Sequence, residues 1–228
     1  MPLNKASGNM YNWISHTFNL VKGQCPHMCQ YCYCKRWGKQ SELHFDESEL
    51  KTDLGKGNKI FVGSSCDMWA DKIPQLWIDK TLEHIGNFRC NNYIIQSKNP
   101  MRIYENRNRL PAIPFWIGTT VESNFDYLDI DLNAPPINNR ILAMTYLERD
   151  FNTFLTIEPI MQFSIDRLVT LIFNCHPKFV NIGADTGNNH LPEPSKEKIL
   201  ELIGELRKFT EIRLKKNLTR LMEGNNGY

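Results

Sequence analysis

No stretch of 18 consecutive apolar residues occurs in this 228-residue sequence, which removes a membrane-spanning helix from consideration. A basic-then-apolar leader is missing too. Met1-Pro2-Leu3-Asn4 leads straight into polar sequence, so the expectation is a cytoplasmic, reduced protein with no membrane partner. Charge of one sign is scarce, and a net +2 from 27 Lys and Arg against 25 Asp and Glu gives no argument for nucleic acid by itself. Seven cysteines is an odd count and nothing marks secretion; both argue against a disulfide framework. Linkers, internal repeats and low-complexity segments are also lacking. With 41% apolar residues, including five Trp and twelve Phe, the chain has material for a substantial core in one domain.

What is present is a concentrated group of thiols. Three cysteines sit in one short loop, Cys25-Pro-His-Met-Cys29-Gln-Tyr-Cys32. This C-x3-C-x2-C spacing supplies three thiolates to three irons of a [4Fe-4S] cubane and leaves the fourth iron open to a small molecule. A four-cysteine electron carrier would close its cluster. A zinc ribbon needs a second Cys or His pair roughly 12 to 20 residues on, which Cys34, Cys66, Cys90 and Cys175 do not provide. The competing reading is one structural zinc held by Cys25, Cys29, Cys32 and Cys34, although Cys32-x-Cys34 is tight for the usual tetrahedral loop. His27 and His44 read as surface residues.

After this loop, β-branched or aromatic runs alternate with amphipathic stretches. Strands are predicted at Lys59 to Gly63, Asn92 to Gln96, Pro114 to Thr119, Thr153 to Ile157, Phe179 to Ile182 and Glu211 to Leu214, with Ile14 to Val21 as the first strand, feeding the cysteines. Helices are predicted at Pro74 to Gly86, Asn99 to Asn108, Ile137 to Arg149, Ile165 to Asn174 and Ser195 to Phe209. In the last of these Ser195 is the expected N-cap, and Ile199, Leu202, Ile203 and Leu206 make one apolar face. Strand and helix alternating with short connections imply a parallel sheet with right-handed crossovers. Six or seven such units are too few for a closed eight-fold barrel. The expected fold class is therefore α/β, a partial (β/α)6-type barrel in a single domain over residues 1–228, with the cluster loop at 23–38 and a C-terminal strand and tail at 211–228.

Functional groups of a parallel barrel collect at the C-terminal ends of its strands. There the sequence is polar: Ser64-Ser65-Cys66-Asp67, Ser97-Lys98, Thr119-Thr120-Val121-Glu122, Glu158, Asp185-Thr186-Gly187 and Lys215-Lys216. Any one could be an ordinary loop residue, but six groups at equivalent positions would ring one mouth. Lys98, Arg102, Arg107 and Arg109, with Tyr104 among them, suggest phosphate contacts around an unstacked base, as does a second cluster of Arg207, Lys208, Arg213, Lys215, Lys216 and Arg220. Solvated helix faces explain most clusters of this kind.

The cysteine loop, with the aromatic Tyr31 just before its last cysteine, resembles the signature of the radical S-adenosylmethionine (SAM) enzymes. The resemblance implies that Cys25, Cys29 and Cys32 ligate the cluster and that the open iron chelates SAM. An electron, from a donor such as flavodoxin or ferredoxin, then cleaves its C–S bond, and a 5'-deoxyadenosyl radical takes hydrogen from substrate. Tyr31 would lie near the adenine. Ile60-Phe-Val-Gly-Ser-Ser-Cys-Asp67, Gln96-Ser-Lys-Asn-Pro100, Ile117-Gly-Thr-Thr-Val-Glu122, Ile157-Glu-Pro-Ile160 and Ile182-Gly-Ala-Asp-Thr-Gly187 look like successive strand-end motifs of a phage-associated radical SAM family, lineages of which are similar to spore photoproduct lyase. The family usually carries Glu where this chain has Asp185, and its Gly-Gly-Glu motif for the SAM amino group is missing here. Ser64, Ser65 or Asp67 would substitute, with Thr120 and Asp185 also on the cofactor side and Glu122 near the SAM ribose.

The resemblance implies a nucleobase or DNA substrate, and a base bound between Lys98, Glu158 and Lys215 would explain the polar groups that recur at the strand ends. It makes rearrangement of a modified thymine in phage DNA the first reading, an isomerase step of thymidine hypermodification that evades host restriction. Lysis of a thymine photolesion is the second reading, and a non-catalytic Fe-S or zinc binding module is the alternative from another class. Spore photoproduct lyase is similar in having a cysteine where Cys66 stands, returning hydrogen to a thymine-derived radical. The competing reading of Cys66 is a small buried core residue.

Overall fold

The computed structural model describes residues 2–127, 130, 133–187 and 189–223. Residues 224–228 of the expected C-terminal tail lie outside them. The chain opens with β1 (Asn4–Lys5), β2 (His16–Phe18), β3 (Val21–Lys22) and β4 (His44–Phe45). It continues β5 (Lys59–Val62), α1 (Gln75–Gly86), β6 (Asn92–Gln96), α2 (Pro100–Glu105), β7 (Phe115–Thr120) and α3 (Ile137–Leu147). The last part comprises β8 (Asn152–Ile157), α4 (Ile165–Phe173), β9 (Phe179–Ile182), α5 (Lys196–Leu206), β10 (Glu211–Leu214) and the short α6 (Thr219–Met222).

Eight strands form one sheet in the order β1-β2-β5-β6-β7-β8-β9-β10. Only the β1–β2 pairing is antiparallel; from β2 to β10 every neighbour is parallel, and strand–helix–strand crossovers join five of these six pairs. The sheet is open, with β1 and β10 as its edges. The predicted first strand is divided. β2 joins the main sheet, whereas β3 leaves it to pair antiparallel with β4, and this turn away starts the cysteine loop. Within the predicted Asn99–Asn108 helix, α2 ends at Glu105 and a 3-10 turn at Arg107–Arg109 follows.

Period-two alternation along the strands builds two apolar layers. Ile60, Val62, Tyr93, Ile95, Ile117, Leu155, Ile157, Val180 and Ile182 pack beneath the helices against Ile78, Leu82, Met144, Leu168, Ile199 and Leu202. Each such burial contributes roughly 1.5–3 kcal/mol before entropy is counted. Phe61, Ile94, Phe154 and Phe179 occupy the opposite face, where the N-terminal segment lays Tyr11, Trp13 and Ile14 over them. Phe154 and Phe179 stack at 5.1 Å, and Trp13 meets Phe179 edge-on at 5.2 Å. Ser195 caps α5 as expected, its hydroxyl accepting from the Lys198 N–H at 3.4 Å. Among the described residues no helix is long and apolar enough to cross a membrane.

Candidate active site

The cysteine loop begins at a residue that must be glycine. Gly23 has φ 91°, and a Cβ there would fall 2.2 Å from the Glu42 carbonyl oxygen. Three short turns follow, with the N–H groups of Met28, Cys32 and Lys35 donating to the carbonyls of Cys25, Cys29 and Cys32 at 3.2, 3.2 and 3.0 Å. His27, expected at the surface, is instead buried, because its ring ties the loop to Asp67, beyond the end of β5. Its Nε2 lies 2.8 Å from Asp67 Oδ2 and its Nδ1 3.2 Å from the Asn133 carbonyl. Burial alone would lower the His27 pKa, but the Asp67 charge and hydrogen bond push it up to about 9. Burial would raise Asp67, and the same pairing with the Trp69 and Lys98 N–H groups holds it below the usual carboxylate range. His44 is exposed as expected.

Asp67 is therefore a knot. One oxygen accepts from His27, from Ser97 Oγ at 2.8 Å and from Lys98 N at 2.9 Å; the other accepts from Trp69 N at 3.0 Å. Its carboxylate is engaged by groups of the protein on both oxygens. Ser64 and Ser65 are held by Asn19, whose amide oxygen receives Ser64 Oγ at 3.2 Å and Ser65 N at 3.1 Å.

A cavity of about 600 Å³ opens where these strand ends meet. Cys25, Cys29, Cys32 and Tyr31 line it from the loop; Ser64, Ser65, Cys66, Asp67, Lys98, Thr120, Glu158, Asp185 and Lys215 line it from the strand ends. Of the sequence-predicted site residues, Glu122 alone is not part of this wall. It is fully buried behind it, with Arg140 Nη1 donating to Oε2 at 3.0 Å, Tyr31 OH donating to Oε1 at 2.8 Å, and Lys98 Nζ donating to Oε1 and to the Tyr31 hydroxyl. Arg140 is anchored in turn on the Pro135 carbonyl at 2.7 Å. Lys98 and Tyr31 thus form one unit, the ammonium 5.0 Å from the ring centroid.

A second polar knot closes the far side. Glu158 accepts from Lys215 Nζ at 2.6 Å, from Asn217 Nδ2 at 2.7 Å and from Asn9 Nδ2 at 3.0 Å. Gly183 makes this possible, since a Cβ there would lie 2.8 Å from Glu158 Oε1. Lys215 sits 4.5 Å from the Tyr11 ring centroid, and the Tyr11 hydroxyl donates to Gln96 Oε1 at 2.7 Å. Asp185 lines the cavity, but its oxygens are engaged by its own loop, through Gly187 N at 3.1 Å, Asn189 N at 2.9 Å and Asn189 Nδ2 at 2.7 Å. Thr120 differs from its neighbours. Its hydroxyl is buried in the cavity wall without a partner among the described residues, an opening for a ligand atom.

The basic clusters do not converge as the sequence suggested. Arg102 spends its guanidinium on the Ala70 and Ile73 carbonyls, Arg107 folds onto the Tyr104 ring at 4.1 Å, and Arg109 pairs with Asp79 at 3.1 Å. In the C-terminal cluster Lys208, Arg213 and Arg220 pair with Glu205, Glu211 and Glu193. Lys98 and Lys215 are the two members of these clusters that line the cavity.

Cys66 is buried, yet it borders the cavity, and its free thiol shares a hydrogen bond with that of Cys25. The contact lowers Cys25 below the usual thiol range, while Cys25 and burial raise Cys66. Cys34 is buried as well, its thiol donating to the Ser65 carbonyl at 3.4 Å. Among the described residues no three His, Cys, Asp or Glu side chains gather as a single metal ion requires. A cubane asks for something else, one thiolate for each of three irons. Three thiols from one loop, facing one cavity, fit that donor set.

No protein-family profile matches the sequence, and no curated protein matches it. In three dimensions the chain is similar to spore photoproduct lyase. A double mutant of that enzyme with bound AdoMet and dinucleoside spore photoproduct superposes with a TM-score of 0.65 at 10% identity, over 91% of this chain and 78% of that one. A single mutant with dinucleoside spore photoproduct gives 0.65 at 9% identity, over 93% and 80%. The lyase complexed with dinucleoside spore photoproduct gives 0.63 at 10% identity, over 91% and 78%. The chain has a mixed α/β architecture with a mostly parallel sheet, and it shares the fold of spore photoproduct lyase.

Proposed function

We propose that this protein is a radical SAM enzyme acting on a thymine-type base in DNA. The observation that carries the reading is the convergence of Cys25, Cys29 and Cys32 with Tyr31, Lys98, Glu158 and Lys215 on one cavity, in a fold shared with a lyase solved with AdoMet and a dinucleoside lesion. The open sheet would then be a partial barrel, with the cavity at its C-terminal mouth. Cys25, Cys29 and Cys32 would hold a [4Fe-4S] cluster that, with SAM, supplies reductive C–S cleavage and hydrogen abstraction from substrate.

The chain's own residues have separable tasks in this account. Tyr31, fixed by Lys98 and Glu122, offers a ring beside the loop for a planar group. Thr120 offers its buried hydroxyl to the cofactor. Glu158 and Lys215 present an acceptor and a donor whose mutual bond a base with N–H and C=O edges can exchange for its own. Tyr11 and Phe61 carry the aromatic layer of the N-terminal segment up to the cavity wall and keep water from a radical. An electron donor such as flavodoxin or ferredoxin supplies the reductant.

Two outcomes on thymine remain within this proposal. The shared fold and the placement of Cys66 at the cavity favour lesion lysis, in which the Cys66 S–H bond breaks, a C–H bond forms on the substrate radical and a thiyl radical stays behind. Isomerisation of a hypermodified thymine in phage DNA rests on the strand-end motifs, and it returns hydrogen from 5'-deoxyadenosine without Cys66. Mass spectrometry of nucleosides from irradiated and from hypermodified DNA, treated with reconstituted wild type and Cys66→Ala, tests both. Repaired thymine in irradiated DNA, diverted to side products by Cys66→Ala, supports lysis. An altered base in hypermodified DNA that is indifferent to Cys66→Ala supports isomerisation. No change in either DNA while SAM is cleaved contradicts a thymine substrate.

A further inference from the structure

Directly after the third loop cysteine the chain places two aromatic rings and three cations in seven residues, Tyr33-Cys-Lys-Arg-Trp-Gly-Lys39. A 3-10 turn over Tyr33–Trp37 sets their directions. Three anchors hold it: the Tyr33 hydroxyl donates to the Ser64 carbonyl at 2.5 Å, the Cys34 thiol donates to the Ser65 carbonyl, and the Gln40 amide donates to the Cys34 and Gly38 carbonyls at 2.9 and 3.1 Å. Held this way, Trp37 stands 59% exposed, edge-on to Tyr33 with centroids 5.4 Å apart. The Arg36 guanidinium lies 5.8 Å from the Tyr33 centroid and 5.6 Å from that of Trp37. All three side chains line the cavity that holds the cysteines. Arg36 and Lys39 are exposed, while Lys35 turns back to the Gln30 carbonyl at 3.1 Å.

Two aromatic rings held side by side on the cavity wall offer a preformed apolar face to a ligand. Apolar partners would be served by the rings alone. A guanidinium set against both rings, with exposed Lys39 close by in sequence, matches a ligand that is aromatic and anionic at each repeat, since bases stack on aromatic side chains while phosphates meet Arg and Lys. We propose that Tyr33, Arg36 and Trp37 form a platform on which the unpaired nucleobase next to the target base stacks, with Arg36 and Lys39 on its phosphates. The ligand is single-stranded or locally unpaired DNA entering the cavity past the cysteine loop. This rests on the nucleobase reading above and adds to it a site for the neighbouring nucleotide.

The test is fluorescence-anisotropy titration of a labelled single-stranded oligothymidylate, and of a duplex of the same length, into reconstituted wild type, Trp37→Ala, Trp37→Phe and Arg36→Ala. Wild type is expected to bind the single strand more tightly than the duplex. Trp37→Ala should weaken single-strand binding by about tenfold, with Trp37→Phe restoring most of it because a π-face remains. Arg36→Ala should flatten the salt dependence. Thermal unfolding midpoints should match wild type, since the anchors of the turn are untouched. A Trp37→Ala affinity within about twofold of wild type overturns the proposal, as does wild type that binds no oligonucleotide. Unchanged DNA affinity with slower reduction by flavodoxin overturns it too, and assigns the patch to an acidic electron donor. Cleavage of SAM by the same wild-type preparation without DNA reports on the radical SAM reading independently.

Discussion

Arg140, on α3, donates to Glu122 at the end of β7 across 3.0 Å, and both side chains are only 2% exposed. The pair sits directly behind Tyr31 and Lys98, which also donate to the Glu122 carboxylate. Removing one partner of a buried ion pair leaves an uncompensated charge. Arg140→Met should therefore cost about 3–5 kcal/mol in urea unfolding, and adding Glu122→Gln should recover part of that loss. A single mutant with wild-type stability would show that Lys98 and Tyr31 satisfy Glu122 without Arg140.

Asp67 reaches the cysteine loop through His27, although neither is proposed as an iron ligand. Asp67→Asn removes a buried charge-assisted acceptor and should cost about 1.5–3 kcal/mol. Iron content per chain after reconstitution should fall with it, because the loop loses its tie to β5 and β6. Asp185→Asn is the comparison. Its carboxylate binds within residues 185–189, so iron content should stay at the wild-type level. Full iron loading in Asp67→Asn would contradict the idea that His27 positions the loop.

Glu158→Gln keeps the size of the side chain but gives up the acceptor pair for Lys215 and Asn217. If this knot positions the substrate, the variant should go on cleaving SAM while product per SAM cleaved falls about 10- to 100-fold. Counting both by mass spectrometry gives the ratio. Equal losses of SAM cleavage and product would place Glu158 in cofactor chemistry instead.

Much of this arrangement was legible in the sequence, for physical reasons. The runs of β5 to β10 are long, apolar and bounded by turns, and the cysteine spacing is chemically restrictive. Strand-end polarity located the cavity wall because a parallel sheet puts one end of every strand at the same face. Residues acting over long sequence distances carried no local signal. Asn9 reaches Glu158, Asn19 reaches Ser64 and Ser65, and Arg140 reaches Glu122 from separate elements. Asn217, two residues past Lys215, and His27, inside the cysteine loop itself, stood next to flagged positions and could have been found there. Clustering of Arg102, Arg107 and Arg109 misled because charge in sequence says nothing of the carbonyls and rings that absorb it. The division of the first strand followed from pairing with β4, a partner too short to announce itself.

The most direct test of the central claim is 5'-deoxyadenosine formation by anaerobically reconstituted protein given dithionite and SAM, with iron and sulfide assayed on the same samples. Wild type should hold about four irons and four sulfides and release 5'-deoxyadenosine. Cys34→Ala should keep its iron, since that thiol binds a backbone carbonyl. Cys29→Ala should lose both cluster and product. Stoichiometric zinc with no iron uptake, or a fully loaded cluster that leaves SAM intact and exchanges no label into it, would contradict the account.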